Sequence, residues 1–177
     1  PGGQLVTESG CVATASRSER CERAWAVLNG VPDPEIPVLS LRDLGIVREV
    51  LDRGHELEVV LTPTYSGCPA TEVIAQSVLD AVRAAGLGPV RVIQRLAPAW
   101  TTDWISAEGL RKLRDYGIAP PGQGAQQQPL RFRPRSVACP RCASLDTERL
   151  SAFGSTACKA LYRCLACREP FEHFKPL

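Results

Sequence analysis

Long apolar runs are missing from this sequence: no stretch approaches the length that spans a bilayer. The first fifteen residues lack a basic segment followed by an apolar core, so secretion is not expected. Histidine is scarce, with two in the chain, His55 and His173. A cysteine hydrolase would have to recruit one of them as its base, which makes that chemistry a weak option. No glycine-rich dinucleotide fingerprint occurs. Aromatic residues make up 6% of the chain, too few to interleave base-stacking rings with a basic sheet, so nucleic acid is a disfavoured partner.

What is present suits a soluble protein. The 177 residues are 44% hydrophobic and 23% charged, enough for one domain of ordinary size plus a small second unit. Of eight cysteines, four form two C-x-x-C pairs near the C-terminus. That spacing points to a metal site in a reducing compartment rather than a disulfide framework, and the expected location is the cytoplasm. The net charge of +2 is uneven: residues 1–128 carry 12 basic and 15 acidic side chains (−3), residues 129–177 carry 9 and 4 (+5). The basic tail, with Arg131-Phe-Arg-Pro-Arg135, suits an acidic protein face better than DNA or RNA.

Residues 1–16, with Cys11, are small, polar and unpatterned and read as a flexible lead-in. After Ser18, the spacing of Cys21, Ala24, Trp25 and Leu28 predicts a helix that stops at Asn29-Gly30, with Cys21 in its core face. Three prolines in Pro32-Asp-Pro-Glu-Ile-Pro37 force a stiff extended loop that holds Asp33 and Glu35. Taken alone, the two acids read as a turn-capping pair exposed to water. Ser40 is placed to cap a short turn ending at Gly45. Ile46–Asp52 and Glu56–Thr62 read as a hairpin, the second strand half-buried because Leu57, Val59 and Leu61 alternate.

The stretch Leu61-Thr-Pro-Thr-Tyr-Ser-Gly-Cys-Pro-Ala70 joins that strand to a helix beginning near Ala70, with Ile74, Val78, Ala81, Val82 and Ala85 on one face and Pro69 suited to the first turn. Cys68 then sits at or just before a helix N-terminus, where free amides and the helix dipole favour a thiolate that binds soft metals or attacks an electrophile. A small residue capping a turn is an equally good reading of the local sequence. Val90–Leu96 supplies a third strand, and Ser106 opens a helix through Tyr116. Trp100 and Trp104 form a lid on the core or, as the second choice, a contact surface.

The fold expected is α+β. A small α/β sandwich over 17–117 (helix, β-hairpin, helix, strand; three-stranded sheet) precedes a linker over 118–135 and a four-cysteine, zinc-ribbon-like β domain over 136–177. A homodimer is compatible with the open edges of so small a sheet. In the last domain Cys139-Pro-Arg-Cys142 and Cys164-Leu-Ala-Cys167 are 21 residues apart. Two such knuckles make a tetrahedral thiolate shell, the closed arrangement of structural zinc, although iron takes the same ligands. Phe153, Leu161, Tyr162, Phe171 and Phe174 are its candidate packing residues. Cys158 is left over, either a spare core thiol of the ribbon or an exchangeable ligand helped by Lys159.

Asp33-Pro-Glu-Ile-Pro37, Leu44-Gly-Ile-Val47 and Thr62-Pro-Thr-Tyr-Ser-Gly-Cys-Pro69 resemble the domain of iron–sulfur cluster assembly factors. With Pro98-Ala-Trp-Thr-Thr-Asp-Trp-Ile105, Tyr116-Gly-Ile-Ala-Pro-Pro121 and Phe153-Gly-Ser-Thr-Ala-Cys-Lys-Ala-Leu-Tyr-Arg-Cys164 added, the resemblance extends from about Ala24 to Pro176. Over that span the chain resembles the D (or J) subunit family of the bacterial phenylacetyl-CoA epoxidase system. The resemblance implies a non-catalytic accessory component of that multicomponent oxygenase, working with its di-iron oxygenase subunit or its iron–sulfur reductase. It further implies that Cys68 transiently holds iron or a cluster, with Asp33 and Glu35 nearby. The residues agree. A di-iron bundle needs clustered Glu-x-x-His ligands, which two histidines do not supply. A docking subunit without a maturation role is the alternative.

Overall fold

The computed structural model describes residues 18–65, 67, 69–122 and 136–176. The lead-in over 1–16, Cys11, Cys68 and residues 123–135 lie outside them.

Helix α1 (Glu19–Leu28) begins where the Ser18 hydroxyl accepts the Cys21 backbone N–H. Cys21, Ala24 and Leu28 form its buried face, with Trp25 packed beside them. The Cys21 thiol donates to the Val50 carbonyl at 3.5 Å. Strands β1 (Val47–Asp52) and β2 (Leu57–Leu61) form the expected antiparallel hairpin, with His55 exposed in its turn. Helix α2 (Thr71–Ala84) buries Ile74, Val78 and Val82 and returns the chain to β3 (Val90–Gln94), which lies parallel to β2. Pro69 precedes the helix rather than occupying its first turn. Helix α1 packs against β1, α2 against β3, and the helices touch each other.

The half-buried reading of β2 is corrected. The sheet order is β1-β2-β3, so β2 is central, and all five of its residues are buried. Alternation does not separate a strand covered on one face from one covered on both when a polar position is neutralised. Here Glu58 is that position, its carboxylate held by Arg53 at 3.2 Å and Arg91 at 2.7 Å.

The proline loop closes through a bridge between Pro32 and Ser40. Ser40 and Asp43 then cap each other, each backbone N–H donating to the other's side chain at 3.0 Å. Gly45 is required where this turn ends: its φ is +66°, and a Cβ there would lie 2.6 Å from the Trp104 carbonyl oxygen. Trp100 is a core lid, 5% exposed, and its indole N–H donates to the Leu44 carbonyl at 2.7 Å. Trp104 is half-buried under the Arg48 guanidinium.

Helix α3 (Ala107–Tyr116) starts on Ser106, which accepts the Gly109 N–H, and ends at left-handed Gly117. The next two residues form β4 (Ile118–Ala119), which pairs in parallel with β7 (Pro170–Phe174). The linker expected from 118 therefore starts too early: Ile118 and Ala119 are apolar, buried and take their backbone partners from the second sheet. That sheet has the order β4-β7-β6-β5, with β5 (Thr147–Ser151) and β6 (Lys159–Cys164) antiparallel to their neighbours.

The two units share a core. Cys158 and Phe174 belong to the same buried cluster as Val31, Ile36, Leu39 and Leu113, and the Phe174 ring lies 6.0 Å from that of Trp100. A smaller cluster under the cysteines contains Ala119, Val137 and Phe171, with Tyr162 stacked on Phe171. Phe153, expected to pack in the ribbon, is 64% exposed.

Phe174 is 1% exposed and fills the contact between the units. Replacing it by alanine is expected to cost about 3–5 kcal/mol, read from the urea midpoint. An unchanged midpoint would mean that the two units do not stabilise each other.

Candidate metal centre and acidic loop

The two C-x-x-C segments fold alike. The Cys139 N–H donates to the Ser144 carbonyl at 2.9 Å and the Cys164 N–H to that of Glu169 at 3.0 Å, the same offset in both. The residue after each second cysteine is left-handed, Ala143 with φ 60° and Arg168 with φ 66°. For residues with a Cβ this costs on the order of 1 kcal/mol each, which is sustained where the turn is held by other interactions.

All four sulfurs lie within 4.8 Å of one another. Cys139 and Cys167 are 3.8 Å apart, Cys142 and Cys164 3.5 Å. A tetrahedral ion with metal–sulfur bonds of about 2.3 Å would set sulfur–sulfur separations of about 3.8 Å, so the donor set fits one such ion. The Cys167 backbone N–H, aimed at the Cys164 sulfur, is the main reason that thiol is lowered to about 7. Cys142 is pushed up to about 12: the Ser144 backbone favours its thiolate, but the adjoining Cys164, Cys167 and Cys139 sulfurs oppose it. A metal cation removes that conflict by stabilising all four thiolates together. Cys139 and Cys164 are buried, Cys167 is half-buried and Cys142 faces solvent.

The second group of candidate residues lies at the junction of the units. Asp33 caps its turn, its Oδ1 accepting the N–H groups of Glu35 at 2.9 Å and Ile36 at 2.8 Å. The expectation that it is exposed to water is corrected: Asp33 is 6% exposed, and burial outweighs these two bonds and raises its pKa. Glu35 is half-buried, its carboxyl also raised, by burial first and by Asp33 second. Cys158 is a core thiol, but of the shared core rather than of the ribbon alone. Burial pushes its pKa up against the Thr156 hydroxyl, 3.1 Å away, and Glu35 and Asp33 raise it further.

Nothing in the sequence marks Lys159 as a buried charge, since a lysine in an alternating strand reads as solvent-facing. It is 3% exposed and pairs with Glu172 at 2.8 Å, while Glu172 also accepts the Ser155 N–H at 2.6 Å. The Lys159 ammonium favours the charged forms of both Asp33 and Glu35. Asp43 also escapes the sequence reading, although Ser40-x-x-Asp43 is a readable capping signature. It gathers Ser40, Ser106 and Lys112. Cys68 lies outside the described residues. Helix α2 behind it starts at Thr71, with Ala70 bringing no side-chain cap. Among the described residues, the four-cysteine set is the one group of three or more ligand-type side chains close enough to share an ion.

No helix among the described residues is long and apolar enough to cross a membrane. Residues 22–92 match the family model described as iron-sulfur cluster assembly protein, and residues 123–175 match that described as PaaD zinc beta ribbon domain. A protein of Escherichia coli (strain K12), provisionally named as the D subunit of 1,2-phenylacetyl-CoA epoxidase, is 52% identical over 85% of this chain and 90% of its own length. An Fe-S protein maturation auxiliary factor of Porphyromonas gingivalis (strain ATCC BAA-308 / W83) is 34% identical over 49% of this chain and 84% of its own length. A solved domain of unknown function from Bacillus anthracis aligns over 53% of this chain and 91% of that chain, with 24% identity and a TM-score of 0.49.

A cavity of about 1120 Å³ borders the first knuckle, with His173 and Tyr162 on its wall. Burial lowers His173 to about 4. The unfolded chain, with a histidine pKa near 6.5, takes up the proton first as pH falls, so this residue's contribution is intact above about pH 6.5 and is lost on the way to pH 4. His173→Phe is expected to remove a loss on the order of 3 kcal/mol across that window, measured by denaturation at each pH against the wild type. Identical pH profiles would contradict it. Cys164→Ser is expected to release the bound metal, read as metal per chain by mass spectrometry.

Proposed function

The chain belongs to the family of phenylacetyl-CoA epoxidase D subunits, and on that premise we propose that it assists assembly of the epoxidase's metal centres rather than turning over substrate. Iron, or an iron–sulfur cluster, is the cargo. Cys68 holds it transiently, and Asp33 and Glu35 supply carboxylates beside it. The clients are the di-iron oxygenase subunit or the iron–sulfur reductase of the same system. The ribbon metal is zinc, and its role is structural.

One observation carries this reading. An iron–sulfur-assembly domain and a zinc ribbon follow each other in a chain whose 52% identity to an epoxidase D subunit spans both. The relative from Porphyromonas gingivalis, named as a maturation factor, supports the role of the first domain. The cysteine set supports an accessory role for the ribbon, because four thiolates close a tetrahedral shell and leave no open position for a reacting molecule. The proline loop supports the ligand role of its acids, because it holds a buried carboxylate in a fixed position. Cys68 has the chemistry of an exchange site: its thiolate binds a soft ion and releases it when a client offers further ligands.

The docking alternative has an observation of its own. Leu145, Leu150, Phe153 and Leu165 of the ribbon are exposed, which is the composition of a contact face.

The test is to produce the oxygenase with this chain, without it and with Cys68→Ser, and to measure its iron content and activity. Oxygenase made without the chain, or with Cys68→Ser, is expected to be iron-poor and not rescued by late addition of the purified protein. The variant itself should melt like the wild type. Immediate full recovery on late addition, with no iron supplied, would make this protein a working component and sink the maturation reading.

A further inference from the structure

Strand β6 joins two sites that otherwise look unrelated. At one end Cys164 belongs to the four-cysteine set that fits a metal ion; at the other, Lys159 and the adjoining Cys158 are buried, Cys158 within the core cluster of the first unit. In between, β6 pairs with β7 along its length, from Lys159 opposite Phe174 to Arg163 opposite Pro170. The far end is fastened on both strands. The Lys175 N–H donates to the Cys158 carbonyl at 2.9 Å, and Lys159 pairs with Glu172 of β7. Phe174 then meets Trp100, whose indole N–H is bonded to Leu44 at the end of the proline loop's own turn.

The loop leans on this corner. Val31, Ile36 and Leu39 lie in one buried cluster with Cys158 and Phe174. The Lys159 charge acts on both Asp33 and Glu35, and both carboxylates act on the Cys158 thiol. Three prolines within six residues remove backbone donors from the loop, which closes through the Pro32–Ser40 bridge, the Asp33 turn and the Ser40–Asp43 cap and is anchored by its buried apolar side chains.

We propose that the ribbon is the positioning element of the acidic loop: metal in the cysteine knuckles orders the β6–β7 pair, and its far corner, Cys158, Lys159 and Phe174, fixes the loop that carries Asp33 and Glu35. Lys159 is a positioning residue in this scheme, opposite in charge to the loop and anchored by Glu172. The functional meaning rests on the assignment of Asp33 and Glu35 to the cargo site; the physical coupling does not. Loss of the ribbon metal thus disables the carboxylate side of the cargo site without touching Cys68. A chain lacking its structural metal is thereby kept from offering a half-built site.

The test uses the full chain, metal-loaded and after removal of the metal by a chelator under reducing conditions. Hydrogen exchange is followed in peptides covering 31–45 and in control peptides covering 71–94, and Cys158 alkylation is scored by mass spectrometry. Removal is expected to speed exchange in 31–45 by about tenfold or more and to expose Cys158 to alkylation, with 71–94 unchanged. Lys159→Met, with metal still bound, should speed exchange in 31–45 alone. Three results overturn the proposal: protection of 31–45 that survives metal loss, Cys158 that stays unreactive in the metal-free chain, or equal loss of protection in 71–94, which would make the metal a support of the whole fold. Running the same comparison on Cys68→Ser separates this coupling from the delivery reading, since the exchange response should persist whether or not that variant delivers iron.

Discussion

A ribbon of roughly 40 residues cannot bury enough apolar surface to stand alone, and the rest of this structure follows from how that deficit is met. At one end lie four cysteines whose sulfurs are spaced to fit one tetrahedral ion. At the other the deficit is met by borrowing: Phe174 and Cys158 enter the core of the α/β unit, and Ile118 and Ala119 lend the ribbon a fourth strand. The cysteine end alone would give a tethered appendage. With both ends fixed, the ribbon becomes a wall of the neighbouring unit, and what happens at the metal is felt at the proline loop.

Much of the fold was legible because the α/β unit obeys periodicity. The spacing of Cys21, Ala24 and Leu28, the Ser106 cap and the C-x-x-C pairs each have a local cause that a single sequence displays. The failures also have local causes. β2 alternates in sequence yet is covered on both faces, because Arg53 and Arg91 neutralise Glu58 and let a charged position be buried. Ile118 and Ala119 precede a proline- and glycine-rich stretch, and composition alone assigns them to it. Their partner is Glu172–His173, more than fifty residues away, and no local pattern reports such pairing.

The candidate site divides the same way. The cysteine cluster was readable because its ligands come in spaced pairs. The acidic loop was readable as a turn but not as a buried one, since the 6% exposure of Asp33 is set by tertiary packing that no local pattern reports. Lys159 carries no sequence signal for its role: its burial is made possible by Glu172, which strand pairing alone brings near. Electrostatically the junction is acidic, with three carboxyl groups, Asp33, Glu35 and Glu172, near one buried cation, Lys159.

The position of β4 has a topological consequence. This strand lies ahead of residues 123–135 in the chain, yet it is hydrogen-bonded into the sheet that follows them. The peptide connection between the units is therefore not what keeps them together. A chain divided between Gly122 and Ser136 would still present a ready-made edge and a shared aromatic contact for its halves to find each other. In evolutionary terms, such an arrangement lets the connecting stretch lengthen, shorten or drift in composition while the two units continue to act as one body.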